Sequence, residues 1–68
     1  MEIRYADRKI RDFVVYETGI VPDAVEIHQN VVVIVVSKEM LEMYEMSAEE
    51  IVERMEPYIP RKLEVRVV

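Results

Sequence analysis

Apolar and polar positions alternate along this chain with periods that change several times. Ile3, Ala6, Ile10, Phe13, Val14 and Glu17 recur at three- and four-residue spacing, which predicts a helix ending at Gly19. Only Glu17, in the final turn, breaks that apolar stripe; Arg8, Arg11 and Asp12 fall on the other face. Asp7 is suited to cap the helix, with an earlier start near Ile3 as the alternative. Gly19, the only glycine, stands where a left-handed C-cap is wanted, and Pro22 stops further helix. Ala24-Val25-Glu26-Ile27-His28 then alternates as a strand, and Gln29-Asn30 makes the turn, Asn tolerating positive φ. Val31 to Val36 is an unbroken β-branched run, so this strand has two apolar faces. Ser37 caps a short helix over residues 38–45. Ser47-Ala48-Glu49-Glu50 reads as a capping box, Glu50 reaching back, for a helix that buries Ile51, Val52 and Met55 and ends near Pro57. From Lys62 to Val68 the pattern alternates again, with Leu63, Val65 and Val67 on one side.

The order helix-strand-strand-helix-helix-strand predicts one α+β domain, a small two-layer sandwich with helices on one face of a three-stranded sheet. Its expected core is Ile10, Phe13, Val14, Val25, Ile27, Val33, Val35, Ile51, Val52, Met55, Leu63 and Val65. The second face of the central strand then carries Val32, Ile34 and Val36, or their odd-numbered neighbours if the register is reversed. A bare face of this kind invites a second copy or a protein partner, unless long Lys and Arg stems cover it within one chain.

Composition narrows the chemistry. With 68 residues, no cysteine and one histidine, disulfides, thiolate zinc sites, cysteine nucleophiles and histidine-rich metal cages are excluded. Ser37 and Ser47 have capping roles, and His28 falls at a turn, which argues against a Ser-His-acid arrangement and against an enzyme. Glu26 and His28 share a strand face, but two ligands are too few for a structural metal. No cofactor and no small-molecule substrate are expected. No apolar run approaches a membrane span, and the opening Met-Glu-Ile-Arg-Tyr-Ala-Asp lacks the apolar core of a signal peptide, so the expected compartment is the cytoplasm. Scarce amides with abundant Val, Ile, Glu and Arg fit a thermophile's chemistry.

The net charge of −5 is unevenly spread. Residues 1–22 balance four bases against four acids; residues 23–60 set Lys38 and Arg54 against nine acids, net −7; residues 61–68 set Arg61, Lys62 and Arg66 against Glu64, net +2. The middle block repels free nucleic acid and favours a basic partner, although a solvated acidic helix face, the usual basis of such a charge run, accounts for it more simply. Met40, Met43 and Met46, with Leu41 and Tyr44 between, make the first short helix apolar on more than one side. Core filling explains part of this; an adaptable docking surface at Met43, Tyr44 and Met46 is the functional reading.

The run from Ile10 to Val68 resembles the type II arrangement of the KH domain, a module that binds RNA and single-stranded DNA, especially KH domains of the transcription factor NusA and its archaeal relatives. The resemblance is carried by Glu17-Thr18-Gly19-Ile20 closing the first helix, by the hairpin leading into Val33-Ile34-Val35-Val36-Ser37-Lys38-Glu39, and by Leu63-Glu64-Val65-Arg66-Val67 as the last strand. In that family a Gly-x-x-Gly turn between the central helices cradles the nucleic acid backbone. The corresponding stretch here, Leu41 to Ser47, has no glycine and presents Glu42 and Glu45, with Glu49 and Glu50 following. The resemblance therefore implies the fold without the nucleic-acid loop: a non-catalytic module working through protein contacts, in transcription or RNA handling. The alternative is an RNA-binding module that uses Arg4, Arg8 and Arg11 of the first helix with Arg61, Lys62 and Arg66.

Overall fold

The computed structural model describes the backbone from Glu2 to Val68 and the side chains from Arg8 onward. The elements are α1 (Glu2–Thr18), β1 (Ala24–Ile27), β2 (Val31–Val36), α2 (Lys38–Met43), α3 (Ala48–Met55), a short 3-10 turn (Glu56–Tyr58) and β3 (Lys62–Val67). This is the α+β order that the periodicity predicts. The three strands form one mixed sheet in the order β1-β2-β3, with β1 antiparallel and β3 parallel to the central β2. The β1–β2 link is a hairpin closed by His28 N–H donating to the Val31 carbonyl at 2.8 Å. Neither Gln29 nor Asn30 adopts positive φ there, so the expected use of Asn's left-handed tolerance is not made. The β2–β3 link is the helical crossover that a parallel pair requires.

The register decides which valines are inside. Val25 pairs with Ile34 and Ile27 with Val32, while Leu63, Val65 and Val67 stand beside Val32, Ile34 and Val36. This face meets the helices. The core joins Val32, Ile34 and Val36 to Val14 of α1, Leu41 of α2, and Ile51 and Met55 of α3. Ile10, Phe13, Ile27, Leu63 and Val65 pack against it from partly buried positions. Val32, Ile34 and Val36 are thus core residues and not the outer face. The reversed register holds, and Val33 and Val35 lie on the side of the sheet away from the helices. Val52 is only half-buried and stands outside the core cluster. Each isoleucine or valine moved out of water contributes roughly 1.5–3 kcal/mol, so assigning the more enclosed layer to the even-numbered set is a large energetic choice.

Local chemistry sets the ends of the helices. α1 begins at Glu2, which places Asp7 inside the helix and rules it out as the cap. At its far end Gly19 has φ +79°, and its N–H donates to the Val15 carbonyl at 2.8 Å, an αL cap. The Thr18 hydroxyl donates to the Val14 carbonyl at 2.7 Å and accepts from Ile20 N–H at 3.0 Å. Ser37 accepts from Met40 N–H at 3.1 Å and Ser47 from Glu50 N–H at 3.2 Å, as N-caps of α2 and α3. The capping box at Ser47 is half made: the Glu50 carboxylate takes a hydrogen bond from Arg54 Nη2 at 3.1 Å instead of reaching back.

Truncation at the centre of this core should be costly. Ile34→Ala, at a fully buried position, is expected to lower the unfolding free energy by about 2–4 kcal/mol in urea titration. A loss below about 0.5 kcal/mol would contradict the register described here.

Candidate interaction surfaces

The outer face of the sheet carries Glu26 of β1, Val33 and Val35 of β2, and Lys62, Glu64 and Arg66 of β3. Among the described residues no helix lies over it, yet Val33 and Val35 are only 4% and 7% exposed. The cover includes side chains from both neighbouring strands. Arg66, beside Val35, reaches diagonally across β2 to Glu26, beside Val33, and donates to both carboxylate oxygens at 3.2 and 3.4 Å. His28 Nε2 donates to the same carboxylate at 3.3 Å. The aliphatic stem of Arg66 thereby lies over the valines while its charge stays wet. Ion pairing at this exposure adds little by itself; exclusion of water from Val33 and Val35 is the larger effect. Both Glu26 oxygens accept from N–H donors, so Glu26 and His28 are engaged with each other and with Arg66.

The hydrogen bond from His28, with Arg66 behind it, holds the Glu26 carboxyl below its ordinary value. Across the molecule Tyr58 stacks on Phe13, with centroids 4.7 Å apart, and its hydroxyl donates to the Glu17 carboxylate. That bond, with some burial, raises the Tyr58 pKa. Glu17, the one polar residue in the α1 stripe, is there to receive Tyr58. Arg54 Nη1 donates to the Glu17 carbonyl at 3.0 Å and ties α3 to the end of α1. Beside this junction an open apolar groove of about 210 Å³ is lined by Ile10, Ile27, Val32, Tyr58, Ile59, Pro60 and Arg61. Its two polar groups are Arg61 and a tyrosine hydroxyl already engaged by Glu17.

The α2–α3 turn is the other notable surface. Met46 N–H donates to the Leu41 carbonyl at 2.9 Å and Glu45 N–H to the Glu42 carbonyl at 3.2 Å, the double bond of a Schellman motif. Its left-handed position, commonly a glycine, is Glu45 at φ +53°. The turn holds Met43 and Tyr44 outward, 71% and 43% exposed, between the exposed Glu42 and Glu45. One side of the Tyr44 ring rests on Gly19: a Cβ there would lie 3.1 Å from Tyr44 Cε2. Met46 turns inward and packs against the core.

Of the expected interface residues, then, Met43 and Tyr44 share an exposed turn, Met46 is half-buried, and Val32, Ile34 and Val36 are enclosed. The basic residues do not converge. Arg8 is exposed and Arg11 half-buried on α1, in the helical layer. Arg61 borders the groove, Lys62 and Arg66 lie on the outer sheet face with Glu64 between them, and Arg66 is paired with Glu26. The Arg4 side chain lies outside the described residues. Among the described residues no group of three or more acidic or histidine side chains is placed to hold a metal. No helix of the structure is long and apolar enough to cross a membrane. No protein-family model, no curated protein and no solved structure matches the chain.

Two outcomes follow. Because the Glu26 pKa is depressed in the fold, its contribution to stability is present above the ordinary carboxylate pKa and is lost as pH falls through the lower folded value. Denaturant titrations of the chain and of Glu26→Gln should therefore differ at neutral pH and converge in acid. Glu45→Gly should relieve the left-handed strain and raise stability by about 0.5–1 kcal/mol, read as a later unfolding midpoint.

Proposed function

We propose that this domain is a non-catalytic, KH-like interaction module that binds a basic protein partner through the α2–α3 turn. The observation that carries the reading is the outward placement of Met43 and Tyr44 on a doubly hydrogen-bonded Schellman turn, rimmed by Glu42 and Glu45. An exposed thioether beside an aromatic ring supplies adaptable apolar area at small entropic cost. The surrounding carboxylates favour a partner segment in which Lys or Arg flanks an apolar side chain. The same carboxylates disfavour a phosphate backbone at the place where the resembling family binds one. A phosphate–carboxylate contact at about 4 Å costs roughly 1 kcal/mol even in water-like dielectric. The distribution of the basic side chains over two layers also supports protein over RNA, since Arg8 and Arg11 are separated from Lys62 and Arg66 by the sheet. By analogy with the family, the setting is transcription or RNA-handling machinery.

The test is affinity capture from the native host with and without nuclease, using the chain and its Met43→Glu and Tyr44→Glu variants. A protein captured after nuclease treatment and lost with either variant is the expected result. Capture abolished by nuclease, or unchanged in both variants, would overturn the reading. Mixed single-stranded RNA should bind more weakly than about 100 μM at physiological salt, measured by chemical-shift titration.

A further inference from the structure

The two edges of the sheet are not alike. β1 is four residues long and follows Pro22 and Asp23, features that blunt an edge. β3 is six residues long, has no proline and runs in unbroken register with β2. Just past it, Val68 N–H donates to the Val36 carbonyl and Lys38 N–H to the Val68 carbonyl, both at 2.9 Å. Alternation along a parallel ladder then turns the N–H and C=O groups of Lys62, Glu64 and Arg66 toward β2. The groups of Leu63, Val65 and Val67 point to the free edge. Their side chains lie on the helical face, where Leu63 and Val65 are only partly covered and Val67 is 43% exposed. Among the described residues Glu64 has no ion-pair partner.

We propose that the β3 edge is a homodimer interface, in which two copies pair antiparallel about a two-fold axis at Val65 and join their sheets into one. Two independent features select this register. First, it sets Leu63 opposite the partner's Val67 and Val65 opposite the partner's Val65, so every outward N–H and C=O of the strand finds a partner. Second, it sets Glu64 beside the partner's Arg66 on the outer face, twice by symmetry, where it shares with Glu26 a guanidinium already bonded within its own chain. Moving the axis to Glu64 opposes Glu64 to its own copy and Lys62 to the partner's Arg66. Moving it to Arg66 opposes two guanidinium groups. Moving it to Leu63 leaves the outward groups of Val67 beyond the paired region. Opposite charges, apolar cross-strand pairs and backbone bonds therefore agree on one arrangement, and the occupant they describe is a second copy of this chain. The interface is separate from Met43 and Tyr44 and does not rest on the function proposed for them.

Sedimentation equilibrium of the 68-residue chain tests this directly, together with Glu64→Lys and Val65→Cys. The chain should change from its 8.1 kDa monomer to twice that mass at about 100 μM. Glu64→Lys turns both attractive cross-strand pairs repulsive and should weaken dimerisation at least about tenfold while leaving the circular-dichroism melt of the monomer unchanged. Val65→Cys introduces the only thiol of the chain, and mild oxidation should yield a covalent dimer whose formation is slowed by adding Glu64→Lys. A monomer persisting to about 1 mM, or a Glu64→Lys chain that dimerises like the parent, would overturn the proposal.

Discussion

A strand built only of valine and isoleucine puts apolar side chains on both faces of a sheet, and one layer of helices can enclose just one of them. β2 imposes that constraint on the whole domain. Val32, Ile34 and Val36 take the helical side, and α1 and α3 are held together over them by Val14, Ile51 and Met55. On the other side Arg66 and Glu26 meet across the strand and keep Val33 and Val35 nearly dry. The outer strands are thereby tied to each other as well as to β2. A domain too small for a third layer closes its second face with a long cationic stem and a carboxylate.

This economy has consequences for where the molecule can bind anything. The broad outer face, the natural place for an apolar interface, is occupied by the domain's own side chains. Among the described residues the accessible apolar surface lies elsewhere: at the α2–α3 turn with Met43 and Tyr44, at the rim of β3 with Val67, at Tyr16 and Val21 around the end of α1, and in the groove beside Tyr58. The turn and the β3 rim sit on regularly hydrogen-bonded backbone, one a Schellman turn and the other a parallel ladder. Rigid presentation reduces the ordering cost of docking, which matters for a domain that can offer only small areas.

The turn also shows local and global demands in conflict. Its geometry needs a left-handed residue, and the chain supplies Glu45 where glycine has no Cβ penalty. At Gly19 the same need is met by the one glycine, and there a Cβ would also press on Tyr44. The two caps are thus linked, because the Tyr44 ring exposed on one is seated against the other.

The sequence alone determined the elements. Periodicity placed every helix and strand in order, and Ser37, Ser47 and Gly19 marked boundaries, because these signals act within a few residues. It also marked Met43 and Tyr44 as more apolar than a short helix needs. Which face of β2 would be enclosed was decided only by tertiary structure. A uniform run of β-branched residues is symmetric under a one-residue shift, so Val32, Ile34 and Val36 could be assigned inside only once the pairing with β1 and β3 was set. The Arg66–Glu26 contact and the Tyr58–Glu17 hydrogen bond are equally invisible in the chain. Their partners lie some forty residues apart, and only the sheet order and the packing of the 3-10 turn on α1 bring them together.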